Sequence, residues 1–178
     1  MTRAALIAGL ALALGACASA PRRAPDLPRA AAPQMPDAGT DTGDTRSRFV
    51  AGAIAMLGQP YRWGGNAPGG FDCSGLVFYA AAAAGIGLPR TAAEQIHAGR
   101  PVSRTELRAG DLVFMHLKRK QLHVGIAIDA DRFVNAPAAG GRVRVDSLTL
   151  PLYSRGFLQA RRVVEDAGAP PSAQSAER

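Results

Sequence analysis

Three side chains in this 178-residue chain could together make and break an acyl bond: Cys73, His123 and Asn135. Cys73 lies in Phe71-Asp72-Cys73-Ser74-Gly75-Leu76-Val77, where a glycine-rich stretch (Gly64, Gly65, Gly69, Gly70) gives way to an apolar run, Leu76 to Ala84. That run reads as a buried helix, which places the thiol at a helix N-terminus. Unpaired N–H groups and the helix dipole favour an anion there, so a depressed thiol pKa is expected. His123 opens a strand-like run fifty residues further on, and Asn135 follows twelve later. Thiolate, imidazole and orienting amide are the parts of a cysteine hydrolase.

The flanking pattern indicates how these groups could meet. Phe49, Ala53, Met56 and Leu57 recur at helical spacing and give a first helix that stops at Gly58 and Pro60. The Cys73 helix should end by Gly85 or Gly87. Thr91, with Glu94 at the capping-box position, starts a short helix through His97. From Gly110 the period changes to two, and segments 111–116, 122–128, 132–136, 142–145 and 156–164 read as strands. Helices first and strands second imply an α+β fold, with N-terminal helices packed on a roughly five-stranded antiparallel sheet. Along the segment 122–128, alternation puts Val124, Ile126 and Ile128 on one face and His123, Gly125 and Ala127 on the other. The second face is nearly bare, and the helix is expected to pack there. Phe133 and Asn135 share a face of the next strand, so His123 and Asn135 can be neighbours across an antiparallel pair joined by a tight turn at Asp129 to Asp131.

The bulk composition narrows the setting. Hydrophobic residues make up 47% of the chain and the net charge is +7. The basic residues are scattered and no base-stacking motif accompanies them, so nucleic acid is not the expected partner. Of the two cysteines, Cys17 closes a segment with one Arg and thirteen apolar or small residues from Ala4. A charged start and a short apolar stretch before small residues read as a secretory signal. Leu14-Gly15-Ala16-Cys17 resembles the bacterial lipoprotein signal, which implies a lipid on Cys17. Plain secretion with cleavage near Ala18 or Ala20, an uncleaved anchor, and a Cys17–Cys73 disulfide are the other readings. Five prolines and no aromatic residue in 18–45 make that stretch a tether. The expected organisation is therefore a signal peptide (1–16), a lipidated Cys17 with a Pro/Ala-rich linker (17–45), a folded domain (46–165) and a small polar tail (166–178).

Several strings, in order, resemble the NlpC-type cysteine peptidases of bacterial cell walls, a papain-like family. They are Pro60-Tyr61-Arg62-Trp63-Gly64-Gly65, the Cys73 string, Leu88-Pro89-Arg90-Thr91 with Gln95, Gly110-Asp111-Leu112-Val113-Phe114 and His123-Val124-Gly125-Ile126. The resemblance implies Cys73 as nucleophile, His123 as general base and Asn135 as the residue that orients the imidazole. Asn135 departs from the histidine commonest in the family at that place, but matches the Cys-His-Asn set of papain-like enzymes. Tyr61 would stand near the oxyanion, and Asp72 and Ser74 would contact substrate. The implied substrate is the peptidoglycan stem peptide, cut between the γ-carboxyl of D-glutamate and the following diamino acid, with no metal or cofactor. A monomer is expected. Ala18, in place of the aspartate that retains lipoproteins at the inner membrane, implies the outer membrane facing the periplasm. The alternative is a wall-binding lipoprotein of the same fold that has lost useful activity.

The remaining motifs are blander. His97 reads as surface and His116 as the end of a strand. Lys118-Arg119-Lys120 reads as a solvated turn. The glycines at 64, 65, 69 and 70 lack the Gly-Lys-Ser/Thr of a phosphate loop. Trp63 reads as core or cleft wall, and no His/Cys cluster has zinc-ligand spacing.

Overall fold

The computed structural model describes residues 42–117 and 121–165. The proposed signal and lipidated Cys17, most of the linker, the Lys118–Lys120 turn and the tail lie outside the described residues. Helix α1 (Thr42–Ile54) comes first, followed by a small hairpin, β1 (Asn66–Ala67) and β2 (Gly70–Phe71). Then come α2 (Cys73–Ala83), the one-turn α3 (Ala92–Gln95), and β3 (Arg100–Val102). The rest is β4 (Asp111–His116), β5 (Leu122–Ala127), β6 (Arg132–Asn135), β7 (Arg144–Ser147), the short α4 (Pro151–Ser154) and β8 (Phe157–Arg162). The fold is α+β and papain-like, with helices on an antiparallel sheet.

The sheet has six strands rather than five, in the order β3-β8-β4-β5-β6-β7. The additional edge strand, β3, is three residues long and contains Pro101, so neither alternation nor β-propensity marks it. It exists because Arg100 to Val102 find the free edge of β8. Helix α1 begins at Thr42, inside the segment read as tether, and ends at Ile54, with turns rather than helix carrying Met56 and Leu57 to Gly58. Hydrogen bonds then tie this extended stretch to the entrance of β7, with Gly58 N–H on Val143 O (2.9 Å) and Tyr61 N–H on Gly141 O (2.7 Å).

The core divides by strand parity. Leu112 and Phe114 of β4, Val124 and Ile126 of β5, and Val134 of β6 face the helices and meet Phe49, Ala53, Leu76, Val77 and Ala80. The opposite residues, Val113, Met115, Ala127, Phe133 and Ala160, meet Tyr153 of α4 and Leu148. The helices thus pack on the branched Val124–Ile126 face, not on the bare Gly125–Ala127 face that the sequence suggested. Branched side chains supply the apolar area that a helix needs to bury. The bare face instead receives the Phe133 ring: a Cβ on Gly125 would stand 2.5 Å from Phe133 Cδ2.

Candidate active site

Asp72 caps α2, the helix that begins with Cys73. Its backbone is extended (φ −90°, ψ 176°), and its Oδ1 accepts the Gly75 N–H at 2.6 Å. Arg90 grips the same carboxylate with two nitrogens, at 3.0 Å to Oδ1 and 2.7 Å to Oδ2. Ser74 Oγ and Gly64 N–H donate to the remaining positions, at 3.2 and 3.0 Å. The carboxylate therefore stays ionised, its pKa held below the usual range by Arg90 and the Gly75 N–H against the opposing pull of burial. Gly75 has no room for a side chain, since a Cβ would stand 1.9 Å from Gly65 O. That carbonyl lies against the first turn of α2, where it accepts Asp72 N–H (3.0 Å) and Arg90 Nη2 (3.2 Å). Gln95, 0% exposed, braces the same turn from α3 by donating to Ser74 O (3.1 Å) and Pro89 O (2.8 Å).

Cys73, a free and partly buried thiol, is the first residue of α2. The backbone N–H groups of Val124, Ser74 and Cys73 itself pull the thiol pKa down. Apolar contact of Leu76 and Val77 with Val124 and Ile126 packs α2 on β5, the strand that carries His123. The expected depression of the thiol pKa is not what results. Burial pushes the thiol up and the Asp72 charge adds to this, so together they outweigh the three N–H groups. His123, 4% exposed, is pushed the other way: burial lowers its pKa, more than the Asn135 hydrogen bond and the Asp146 charge raise it. Each group is thus biased to its neutral form.

His123 Nε2 and Asn135 Oδ1 are 3.0 Å apart, and Asn135 is 0% exposed. The strand register accounts for this pairing. Ala127 lies opposite Phe133, which places Gly125 opposite Asn135 two residues back. His123 reaches diagonally past Gly125, which has no side chain of its own. Beyond Asn135 stands Asp146, which sequence reasoning did not single out. Asn135 Nδ2 donates to Asp146 Oδ2 at 3.0 Å. Arg144 Nε and the Tyr153 hydroxyl donate to the same oxygen, each at 2.8 Å. The Arg144-Val145-Asp146 alternation on β7 was the available signal, but it has meaning only once β7 is known to pair with β6.

Tyr61 is half-buried on the Cys73 side. Burial raises its pKa first, and the Cys73 and Asp72 charges raise it further, so the phenol stays protonated as a hydrogen-bond donor. Asp72 and Ser74 flank Cys73, and both side chains are engaged by Arg90. Trp63 is 81% exposed, which excludes a core role. With Arg62 and the glycine-rich hairpin it lines a shallow cavity of about 320 Å³. His97 and His116 are on the surface. Among the described residues no group of three His, Cys, Asp or Glu could hold a metal ion.

A papain-like sheet that carries an imidazole and an amide, with a helix that begins with a thiol packed on it, defines a class of cysteine hydrolase folds. Within that class the chain belongs to the NlpC/P60 family, whose model matches residues 58–162. It is 41% identical over 117 residues to the murein DD-endopeptidase MepH of Escherichia coli K12, covering 62% of this chain and 43% of that protein. It is 34% identical over 121 residues to the gamma-D-glutamyl-L-lysine dipeptidyl-peptidase of Bacillus subtilis 168, covering 66% of this chain and 41% of that one. The chain thus spans less than half the length of these two relatives. Among solved structures, the peptidoglycan hydrolase RipB of Mycobacterium tuberculosis superposes with a TM-score of 0.62 at 30% identity, covering 74% of this chain and 69% of that one.

Proposed function

We propose that this chain is a cysteine endopeptidase acting on the peptide stems of peptidoglycan, with Cys73 as nucleophile, His123 as base and Asn135 as the residue that orients it. The observation that carries the reading is the buried His123–Asn135 hydrogen bond, made from the strand on which the helix that begins with Cys73 packs. In this mechanism His123 takes the thiol proton as sulfur attacks the carbonyl. The tetrahedral oxyanion is met by the Cys73 N–H and the Tyr61 hydroxyl. His123 then returns the proton to the departing amine, and water, activated by the same imidazole, hydrolyses the thioester. Asp72 and Ser74, oriented by Arg90, form the wall of the subsite beside the nucleophile. Asn135 in place of histidine is compatible with activity, because its Oδ1 holds the imidazole at hydrogen-bond distance.

The bond to be cut has two candidates. The resemblance of motifs favours the γ-D-glutamyl–diamino acid bond, as in the name of the B. subtilis relative, while the name of the E. coli relative favours a D,D cross-link. Incubation of the chain and its Cys73→Ala variant with defined cross-linked and uncross-linked muropeptides, read by mass spectrometry, separates them. Fragment masses name the bond. Absence of cleavage by a folded wild-type protein would refute the peptidase reading in favour of a wall-binding protein. We also propose lipid attachment at Cys17 and a periplasmic, outer-membrane location, on the strength of Leu14-Gly15-Ala16-Cys17 and Ala18. The mass of the mature protein from a Cys17→Ala strain tests this: an unchanged N-terminal mass refutes it.

A further inference from the structure

The Asn135 side chain has two unlike ends, and the end that faces His123 decides where the imidazole keeps its proton. The two orientations of an amide fill nearly the same space, so packing alone does not choose between them. Asp146 does. Its carboxylate offers only acceptors. Asp146 Oδ2 already collects Arg144 Nε and the Tyr153 hydroxyl, each at 2.8 Å, and Asn135 is 3.0 Å from the same oxygen. Only the NH2 end of Asn135 can make that contact. The same nitrogen also lies 3.4 Å from Arg144 O, a second acceptor. What is left for His123 is Oδ1, itself an acceptor, 3.0 Å from Nε2. Nε2 must therefore carry the hydrogen, and the neutral ring keeps its lone pair on Nδ1.

We propose that Asp146 is a positioning residue: acting through Asn135, it locks His123 in the Nε2–H tautomer and leaves Nδ1 free to take the Cys73 proton. This rests on the reading of Cys73 and His123 as nucleophile and base. A reversed amide would offer N–H to Nε2, draw its lone pair there, and move the ring hydrogen to Nδ1, the nitrogen that has to act as base. The arrangement is fixed from both sides. Asn135 lies opposite Arg144 in the β6–β7 ladder, with Asp146 two residues along on the same face. Tyr153, 1% exposed, is held by an edge-on contact with Phe133, ring centroids 4.9 Å apart, so the hydroxyl that anchors Asp146 has no freedom to leave.

The test is the tautomer itself, read on the intact chain with 15N-labelled histidine by long-range proton–nitrogen correlations above the imidazole pKa. There are three histidines, and single variants of His97 and His116 assign them. The wild type is expected to show Nε2–H at His123. In Asp146→Leu, which removes the acceptor altogether, hydrogen is expected to appear on Nδ1, with kcat for muropeptide cleavage down about tenfold or more and KM within about twofold. The double variant Asn135→Asp/Asp146→Asn moves the carboxylate one step closer to the ring and is expected to show Nε2–H and more kcat than Asp146→Leu. Nδ1–H in the wild type overturns the proposal, even if Asp146→Leu does not fold. Retention of Nε2–H alone by folded Asp146→Leu overturns it whatever the rate does, as does Nδ1–H in the double variant. A wild type that shows Nε2–H, and loses it in Asp146→Leu, yet cleaves no muropeptide would leave the positioning role standing and sink the peptidase reading alone.

Discussion

Replacing Gly125 by alanine should damage the site without touching any reacting group. A Cβ at this position would stand 2.5 Å from Phe133 Cδ2, 3.1 Å from Phe133 Cε2 and 2.8 Å from Val134 O. Carbon atoms rest at about 3.5–4.0 Å, so the ring would have to give by about 1 Å. Phe133 is 0% exposed and its ring already meets Tyr153, while the second obstacle is a main-chain carbonyl that cannot rotate away. Overpacking of a close-packed core costs about 1–3 kcal/mol, and the rigid carbonyl argues for the upper half of that range. For a folded region of roughly 120 residues this lowers Tm by about 8–12 °C, taking about 4 °C per kcal/mol. The push on Phe133 also passes to Tyr153 and so to Asp146, so kcat/KM should fall by about tenfold at temperatures where the variant is still folded. Thermal unfolding by circular dichroism and muropeptide cleavage measure the two effects. Phe133→Leu in the same chain should restore part of each. An alanine variant that melts within about 2 °C of wild type with unchanged kcat/KM would refute the packing on which the His123–Asn135 diagonal depends.

The pH profile follows from the directions of the two shifts. On the proposed mechanism, activity needs one proton shared between sulfur and imidazole. Below the His123 pKa, lowered from 6.5 by burial, both groups are protonated and no base remains. Above the Cys73 pKa, raised from 9.0 by burial, that proton is lost and the leaving amine has no acid. The kcat/KM plateau should therefore run from below pH 6.5 to above pH 9.0, and an acid limb centred above 6.5 would contradict it. Arg90→Met leaves the Asp72 charge, which already raises the thiol pKa, without its cation; the alkaline limb should move further up and iodoacetamide labelling at pH 7.5 should slow, whereas faster labelling would show that Arg90 does not neutralise Asp72. Arg162→Met strands Asp111, 0% exposed, at the far side of the sheet; it should cost about 3–5 kcal/mol in urea unfolding, with most of the loss recovered by adding Asp111→Leu. A single-variant loss under about 1 kcal/mol would be inconsistent with a buried, bidentate pair.

Legibility in the sequence followed the range of the interactions. The Thr91–Glu94 capping box, the Cys73 helix and the turn at Asp129 were readable because their partners lie within a few residues. His123 and Asn135 were readable one step further out, since alternation and a short turn fix which faces of adjacent strands meet. Asp146 was not, because its role needs the next register, β6 on β7, and nothing local to Arg144-Val145-Asp146 announces it. The choice of sheet face for α2 was misjudged for a related reason. A bare strand face invites whatever neighbour is largest, and here that neighbour is Phe133 on the adjacent strand rather than a helix. The thiol pKa was misjudged because helix position is visible in a sequence while burial is not.

The proposed nucleophile is held by contacts within residues 61–95, among Asp72, Arg90, Gly65 and Gln95, whereas the proposed base is held by contacts within residues 123–153. The two assemblies are joined by main-chain hydrogen bonds such as Tyr61 N–H to Gly141 O and by the apolar contact of Leu76 and Val77 with Val124 and Ile126. Cleavage rate is then a gauge of docking between two preassembled parts. Loosening that contact should silence the chain while its helices and strands are still intact, so loss of activity would be the first sign of melting and loss of secondary structure the last.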